Sequence, residues 1–292
     1  MKILILGAGG MLGSTLFRLL PDLETEVYGT LRQSKPTDSI KKSFQNLNNL
    51  IYNIDVLNSD QLYQIISQIK PNIIINCIGI IKQLDISNDP LYVIPINSIL
   101  PHRLAEITSR IKARLIHIST DCVFDGNKGN YTELDKPNAD DLYGKSKELG
   151  EIKENEHVVT LRTSIIGHEL QSNHSLVDWF LSQQKETQGY KKAIFSGLTS
   201  VELSKVIKKY IIPNKEIYGL YHVSVEPISK FDLLSLINDI YKKNIIIKPN
   251  IEQKIDRSLN SKEFQKITGY IPPKWIELIK ELKLYYDSYY RG

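Results

Sequence analysis

Short β-branched runs alternate with amphipathic stretches along the first half of the chain. Ile3–Leu6 is a continuous apolar run, which is typical of a strand buried on both faces of a parallel sheet. Further strands are predicted at Glu26–Leu31, Leu50–Ile54, Asn72–Ile78, Arg114–Ser119 and Val158–Arg162. Apolar residues at helical spacing predict helices over Leu12–Leu20, Ser59–Ile69, Pro101–Ile111 and Asp141–Glu154. The alternation predicts an α/β fold with a Rossmann-like, doubly wound parallel sheet.

After about Gly167 the alternation weakens. Helices are predicted over 176–184, 200–210, 229–242 and 274–286, and a strand over 218–223. These elements are too few for a second complete sheet. We therefore expect one sheet domain over residues 1–167 and a smaller lobe over residues 168–292, with an approximate boundary that the chain is free to cross. The seam between the two is the expected ligand cleft.

Composition and charge exclude several classes of protein. Hydrophobic residues make up 41% of the chain and charged residues 24%, which is ordinary for a globular protein. The net charge of +4 is spread along the chain, so no nucleic-acid surface is expected. No apolar run is long enough to span a bilayer, and the apolar start reaches Gly7 too early for a secretory signal. Cys77 and Cys122 form neither a disulfide framework nor a metal motif. We expect a cytoplasmic protein with no metal, membrane or nucleic-acid partner.

A glycine-rich turn follows the first strand and opens a helix. Residues 7–13 read GAGGMLG, and Gly7, Gly10 and Gly13 fit the spacing G-x-x-G-x-x-G, while Leu at position 12 breaks G-x-G-x-x-G. Glycines let backbone N–H groups approach a phosphate at a helix N-terminus. A plain tight turn is the alternative. The position of the turn between a strand and a helix favours a dinucleotide site, with contacts from the three glycines, Met11 and Leu12. Residues 1–167 are therefore predicted to form a dinucleotide-binding domain.

The identity of the dinucleotide is predicted from the end of the second strand. An NAD site there carries an acidic residue for the ribose hydroxyls, whereas this chain has Arg32 and no acid. An arginine suits a 2′-phosphate, so NADP(H) is preferred and NAD(H) stays possible. The other predicted cofactor contacts follow strands three and four: Asp55 and Val56 at the adenine, and Cys77, Ile78 and Gly79 under the middle of the cofactor.

Tyr143 and Lys147 lie one helical turn apart on the same face of a predicted helix. An ammonium about 5 Å from a phenol is expected to lower the phenol pKa by about two units. Such a pair donates a proton to a carbonyl oxygen while a nicotinamide supplies hydride, and Lys147 also holds the ribose. Ser119 and Thr120 follow a strand, where their hydroxyls can hold a substrate oxygen. An exposed helical pair and a chance turn are the alternatives.

Three motifs together resemble a known family: the glycine turn, STDCVFDG at 119–126 and YGKSKELGE at 143–151. They resemble the extended short-chain dehydrogenase/reductases, in particular the dTDP-4-dehydrorhamnose reductase-like sugar-nucleotide reductases. The resemblance covers residues 1–170 strongly, and DRSLN at 256–260 is similar to a later motif of that branch. It implies a catalytic triad of Thr120, Tyr143 and Lys147. The reaction that it implies is the NAD(P)H-dependent reduction of a nucleoside-diphosphate 4-keto-6-deoxy sugar, in the synthesis of sugars for surface polysaccharide. It also implies a possible homodimer, a substrate-binding C-terminal lobe, and substrate contacts at Cys122, Val123, Phe124, Arg162 and Arg257.

Cys122 departs from the family pattern. Reductases of this branch often carry tyrosine there, and the related dehydratases need glutamate, so dehydration is disfavoured. Cys122 is similar to the cysteine of GDP-fucose synthase-like epimerase/reductases. In that alternative, Cys122 with His168 or His174 moves protons beside the ketone. A second alternative is a non-catalytic, cofactor-binding regulatory subunit, against which the retained triad residues argue.

Overall fold

The computed structural model describes residues 1–44, 46–82 and 84–290. Its strands are β1 Lys2–Leu6, β2 Glu26–Thr30, β3 Leu50–Ile51, β4 Ile73–Asn76, β5 Arg114–Thr120, β6 Val158–Thr163, β7 Ile165–Ile166, β8 Glu186–Tyr190, β9 Ala193–Phe195, β10 Leu198–Thr199, β11 Gly219–His222, β12 Ile228–Ser229, β13 Ile246–Asn250 and β14 Ile255–Asp256. Its α-helices are α1 Met11–Leu19, α2 Asp38–Ser43, α3 Ser59–Ile69, α4 Pro90–Ile94, α5 Leu100–Arg110, α6 Leu142–Leu149, α7 Leu176–Ser182, α8 Ser200–Val206, α9 Lys230–Tyr241, α10 Lys262–Thr268 and α11 Trp275–Tyr289. Pro95–Ile99 and Ile207–Ile211 are π-helical.

Seven parallel strands form the central sheet in the order β11-β6-β5-β4-β1-β2-β3. Ile5 of β1 pairs with Gly29 of β2 on one side and Ile75 of β4 on the other. The chain therefore starts in the middle of the sheet, builds to one edge and returns to build the other half. This reversal leaves a crevice at the carboxyl ends of β1 and β4, where ligands bind in open α/β sheets. The predicted Rossmann-like α/β class is confirmed.

Both faces of the sheet are covered, which explains the continuous apolar run of β1. Ile3 and Ile5 belong to one core, which also contains residues of α1, α8, α9 and α11. Leu4 and Leu6 belong to a second core, on the opposite face, with α3 and α5. All four side chains are fully buried. Alternate residues of a strand point to opposite faces, so a strand covered by helices on both sides is apolar at its buried positions, here residues 3–6 of β1.

Two predicted elements are corrected by the structure. The strand predicted over Leu50–Ile54 ends at Ile51, and the helix predicted over Asp141–Glu154 is α6, which ends at Leu149. A Cβ at Gly150 would lie 2.0 Å from the Asn97 carbonyl oxygen, so the chain passes close to the π-helical segment there. Gly150 is the C-cap of α6, and the next residue, Glu151, has its carboxylate buried in the core.

The second half of the chain contributes to both parts of the molecule. β11 pairs with β6 and completes the central sheet, so the chain crosses the approximate boundary at residue 167. Three smaller sheets lie outside the central one, with the strand orders β10-β7, β12-β9-β14 and β13-β8. The sequence did not predict most of their strands, because these strands are short. The division into two domains stays a prediction. In the part of the chain that the structure describes, no helix combines the length and apolar character needed to cross a bilayer.

Candidate functional site

A cleft of about 530 Å³ opens at the carboxyl ends of the central strands. One wall carries residues of the glycine turn and of the segments after β4 and β5, and the other carries residues of β7, β9 and β14. The residues with candidate chemistry that line it are Gly10, Met11, Leu12, Cys77, Ile78, Gly79, Lys82, Ser119, Thr120, Asp121, Cys122, Tyr143, Lys147, Glu169, His174, Lys230 and Arg257. Most of the predicted cofactor and triad residues therefore meet in one place.

The glycine turn has the geometry that a phosphate site needs. Gly7 has a φ of +87°, a conformation that favours glycine. A Cβ at Gly13 would lie 2.1 Å from the Gly7 carbonyl oxygen, so only glycine allows this close packing. Gly10 caps α1 without a side chain, and the first turn of α1 has no acidic residue. The backbone N–H groups of this helix start therefore face the cleft with a partial positive charge. These residues fit the pyrophosphate of a dinucleotide.

The remaining predicted cofactor contacts surround this turn. Cys77, Ile78 and Gly79 follow β4 and line the cleft, as predicted. Arg32 follows β2 with its side chain exposed, and it lies outside the residues that line the cleft. Asp55 is exposed and Val56 is buried in the second core, both after β3. These three contacts are not brought into the cleft wall and stay predictions.

Helix α6 presents the Tyr143–Lys147 pair to the cleft. The helix starts at this point because the Asp141 carboxylate accepts a hydrogen bond of 2.9 Å from the Gly144 N–H. Lys147 is 5% exposed, and its ammonium donates a hydrogen bond of 2.7 Å to the Ile118 carbonyl oxygen of β5. The contact holds the lysine against the end of the strand that carries Ser119 and Thr120. Strand and helix thus bring all three predicted triad residues to one wall.

The hydroxyl of Thr120 is positioned by its neighbours. It accepts a hydrogen bond of 3.1 Å from the Cys122 N–H and donates one of 3.2 Å to the Asp121 carboxylate. It also lies within hydrogen-bonding reach of the Tyr143 phenol. Burial raises the pKa of Asp121, against the opposing effect of Arg257. The two hydroxyl groups of Thr120 and Tyr143 therefore form a unit that can hold one carbonyl oxygen.

The protonation states in the cleft differ from the prediction. Burial raises the pKa of Tyr143, and the nearby Cys122, Asp121 and Asp141 raise it further, while the hydrogen bond with Thr120 lowers it. The expectation that the pKa of Tyr143 lies below its usual value is corrected, because desolvation of the phenolate is the largest effect on it. Burial also lowers the pKa of Lys147 to about 8, against the opposing charge of Glu151. Tyr143 is therefore a protonated phenol at neutral pH.

Arg162 is not a substrate contact, which corrects the prediction. Its side chain is 1% exposed and forms a bidentate pair with Glu151, with Nε and Nη2 each 2.6 Å from a carboxylate oxygen. Nη1 lies 3.2 Å from Nε2 of His222. The guanidinium is buried against Glu151 and His222, and Arg162 is not among the residues that line the cleft. Ser119, which does line the cleft, donates a hydrogen bond of 2.8 Å to the same Glu151 carboxylate.

Val123 and Phe124 are likewise corrected as substrate contacts. Both side chains are fully buried and form a small cluster with Tyr131 and Leu259. The ring of Phe124 stacks on that of Tyr131 at a centroid distance of 4.1 Å. The motif predicted a binding segment, but 0% exposure leaves these side chains with a packing role only. Arg257, by contrast, lines the cleft, where its Nε donates to the Phe124 carbonyl oxygen at 2.7 Å.

The structure disfavours the proton shuttle through Cys122. Burial and the nearby Asp121 raise the pKa of the Cys122 thiol to about 12, so the reactive thiolate is absent near neutral pH. His168 is not available as its partner, because its Nδ1 bonds to Asp178 at 2.5 Å and its Nε2 to the Tyr241 hydroxyl at 2.8 Å. His174 does line the cleft.

Two residues of the site were missed by the sequence analysis. The buried Asn97 side chain accepts from the Ile80 N–H at 2.8 Å and donates to the Ile80 carbonyl oxygen and the Ser146 hydroxyl. It ties the segment after β4 to α6, and only its position in a π-helix before α5 hints at it. Lys82 pairs with Asp141 at 2.6 Å and lies over the Tyr143 ring at 5.7 Å. No sequence motif marks this lysine. Within the described residues, no group of three or more His, Cys, Asp or Glu side chains could hold a metal ion.

Comparisons with known proteins agree with this geometry. The model of the RmlD substrate binding domain family matches residues 1–284. The chain is 28% identical over 310 residues to dTDP-4-dehydrorhamnose reductase of Aggregatibacter actinomycetemcomitans, an alignment that covers 97% of this chain and 99% of that protein. It is also 31% identical over 151 residues to methionine adenosyltransferase 2 subunit beta of Bos taurus, covering 51% of this chain and 41% of that protein.

Solved structures show the same fold. The crystal structure of dTDP-4-dehydrorhamnose reductase from Bacillus anthracis in complex with NADP superimposes with a TM-score of 0.79 at 24% identity, covering 97% of this chain and 99% of that one. Together with the family match over nearly the whole chain, this confirms the resemblance drawn from the three motifs. The chain belongs to the RmlD substrate binding domain family, among the sugar-nucleotide reductases of the extended short-chain dehydrogenase/reductase type.

Proposed function

We propose that the protein reduces the 4-keto group of a nucleoside-diphosphate 4-keto-6-deoxy sugar, with dTDP-4-dehydrorhamnose as the preferred candidate. The observation that carries the proposal is the single cleft that holds both the free start of α1 and the residues Thr120, Tyr143 and Lys147. The full-length relative named dTDP-4-dehydrorhamnose reductase supports this substrate. We place the reaction in the cytoplasm, in the synthesis of sugars for surface polysaccharide, and the homodimer stays a prediction.

The residues that would hold the cofactor follow from the same cleft. The N–H groups at the start of α1 would bind the pyrophosphate, residues 77–79 would lie against the middle of the dinucleotide, and Lys147 would hold the ribose beside the nicotinamide. The cofactor supplies hydride when bound. Arg32, exposed at the end of β2, favours NADPH over NADH because a guanidinium pairs well with a 2′-phosphate.

The chain's own residues complete the reduction by moving one proton. Tyr143 carries a proton at neutral pH, as any phenol with a pKa at or above about 10 does, and it can donate that proton to the oxygen of the sugar as hydride arrives and negative charge develops there. The Thr120 hydroxyl accepts from the Cys122 N–H, and by turning its one proton from Asp121 to the same oxygen it would orient that oxygen. Lys147 stays fixed by the Ile118 carbonyl oxygen and places a positive charge where negative charge develops.

The substrate would extend from this proton donor toward the second wall. Arg257 and Lys230 line that side of the cleft and provide positive charge for a diphosphate. Ile194, Phe195 and Ile255 line the same region and provide an apolar surface for the 6-deoxy sugar or the base. This combination of a cationic and an apolar wall suits a nucleoside-diphosphate sugar better than a small free sugar.

The test is the oxidation of NADPH by the purified protein in the presence of a dTDP-4-keto-6-deoxy sugar, followed by absorbance. Tyr143→Phe should lower turnover by about 10²–10⁴-fold while NADPH binding stays within about twofold, since proton donation contributes rates of that order. Tyr218→Phe is the control, because Tyr218 is 42% exposed and lies outside the cleft. Equal activity of Tyr143→Phe and wild type would remove the mechanism. Arg32→Ala should weaken NADPH binding more than NADH binding.

A cofactor-binding regulatory subunit is the second candidate function. It is favoured by the 31% identity to methionine adenosyltransferase 2 subunit beta, although that alignment covers only 51% of this chain. Such a protein would bind NADPH and retain a partner protein in a pull-down, but it would oxidise no NADPH with any dTDP, UDP or GDP keto sugar. Turnover that depends on Tyr143 excludes it.

A further inference from the structure

Two loops from opposite sides of the glycine turn are joined by hydrogen bonds. We call residues 167–175, between β7 and α7, the strap. At its tip, the Gln171 Nε2 donates to the Gln33 Oε1 at 3.2 Å and to the Thr37 Oγ1 at 3.3 Å. Gln33 and Thr37 belong to the segment that follows β2, where the predicted phosphate contact Arg32 also lies.

The glycine turn lies between these two loops. On one side, a Cβ at Gly9 would lie 3.0 Å from the Leu31 Cδ2, so the turn contacts the start of the segment after β2. On the other side, a Cβ at Gly167 would lie 3.1 Å from the Met11 Cγ, so the start of the strap packs against the first residue of α1. The bridge from Gln171 to Gln33 and Thr37 therefore joins two segments that contact the glycine turn and the start of α1.

The base of the strap is held firmly. One oxygen of the Glu169 carboxylate accepts from the Ser172 hydroxyl and from the N–H groups of His174 and Ser175, at 2.7 to 3.0 Å. The Glu169 N–H in turn donates to Asp178 of α7 at 2.7 Å. Beneath it, His168 is 1% exposed with both ring nitrogens bonded. The exposed hydrogen bonds of Gln171 are thus the part of the bridge that can open.

We propose that Gln171 is a positioning residue that fastens the strap across the adenosine half of the bound dinucleotide. The proposal rests on the proposed cofactor. With the bridge closed, the segment after β2 is held next to the glycine turn, and the dinucleotide leaves only after the two hydrogen bonds of Gln171 open. Because the bridge joins protein to protein, it acts on NADPH and NADH alike.

The test is the rate at which NADPH dissociates, measured by stopped-flow displacement while following nicotinamide fluorescence. Gln171→Ala should raise the dissociation rate of NADPH and NADH by about three- to tenfold, the effect expected for two hydrogen bonds of modest net strength. Amide hydrogen exchange over residues 31–37 should become faster in the cofactor-bound variant. Gln183→Ala is the matched control, since the Gln183 side-chain amide donates to the Trp179 carbonyl oxygen and the Ser182 hydroxyl, next to its own helix α7.

A double-mutant cycle makes the test specific for the bridge. Gln33→Ala removes one acceptor and leaves the Thr37 cap of α2 in place, so its effect and that of Gln171→Ala should be less than additive if the two residues act together. A dissociation rate of Gln171→Ala equal to that of Gln183→Ala overturns the proposal, and so does an effect on NADPH alone, which would mean direct contact with the 2′-phosphate. A wild-type protein that binds neither dinucleotide refutes the proposed function itself, which separates the two failures.

Discussion

Replacement of Arg162 by methionine tests whether this arginine supports the core rather than the substrate. The Arg162 side chain is 1% exposed and that of Glu151 0%, and they share two hydrogen bonds of 2.6 Å. Arg162→Met leaves the Glu151 carboxylate buried, with the Ser119 hydroxyl, the more distant Lys153 and the charge of Lys147 as its polar surroundings among the described residues. Removing one partner of a buried ion pair costs about 3–5 kcal/mol of unfolding free energy.

That loss should be visible as a lower melting temperature. With an unfolding entropy of about 2.1 cal/mol/K per residue, the 292 residues give roughly 0.6 kcal/mol/K, so the midpoint should fall by about 5–8 °C. The assay is thermal unfolding followed by circular dichroism, at one pH and without ligands. Lys153→Met is the control, because Lys153 lies 3.9 Å from the same carboxylate but is 51% exposed. We expect that variant to lose at most about 1 kcal/mol.

A second pair of measurements separates packing from binding. Glu151→Gln combined with Arg162→Met removes both charges, so it should recover part of the stability that the single arginine variant loses. The KM of Arg162→Met for the sugar nucleotide, measured well below its melting temperature, should stay close to that of wild type. An unchanged melting temperature together with a strongly raised KM would refute the reasoning and return Arg162 to the substrate site.

Three further predictions follow from the cleft. NADPH affinity should fall as the pH rises past about 8, because burial lowers the pKa of Lys147 to about 8 and only the protonated amine attracts the cofactor. In a fluorescence titration of NADPH binding, Lys147→Arg should move this decline to higher pH, since an arginine stays protonated. Gly13→Ala should destabilise the protein and weaken NADPH binding strongly, because its Cβ would lie 2.1 Å from the Gly7 carbonyl oxygen. In Gly10→Ala the Cβ would lie 3.6 Å from the same atom, so that variant should fold normally, as judged by circular dichroism. Cys122→Ala should keep turnover within about threefold of wild type, because a thiol with a pKa of about 12 is rarely deprotonated near neutral pH and is a poor proton-transfer group. Incorporation of solvent deuterium at the carbons beside the ketone by the wild-type protein would contradict this.

Features with a local cause could be predicted from the sequence. Gly7, Gly10 and Gly13 mark a turn because close backbone approach is a property of consecutive residues. Tyr143 and Lys147 share a face because a helix repeats every 3.6 residues. The continuous apolar run of β1 required burial on both faces, which the two cores confirm.

Features that depend on distant contacts could not be predicted in the same way. The family resemblance implied that Arg162 is a substrate contact, yet its guanidinium pairs with Glu151, a residue that lies just beyond the end of α6 and is buried. The pKa of Tyr143 depends on how completely its surroundings exclude water, so the lysine one turn away was a poor guide to its direction. Asn97 had no motif, because its role comes from contacts with Ile80 and Ser146 across the fold.

The sequence by itself determined the alternation of strands and helices in the first half of the chain and the glycine turn, and it predicted the residues that would hold a carbonyl oxygen. The tertiary structure alone decided which charged side chains face the cleft, which are neutralised in the core, and that Gln171 reaches Gln33 across 138 positions of the chain. The physical reason is the distance along the chain over which each effect acts. Backbone geometry and side-chain spacing act within a few residues, whereas burial and charge pairing depend on groups that only folding brings together.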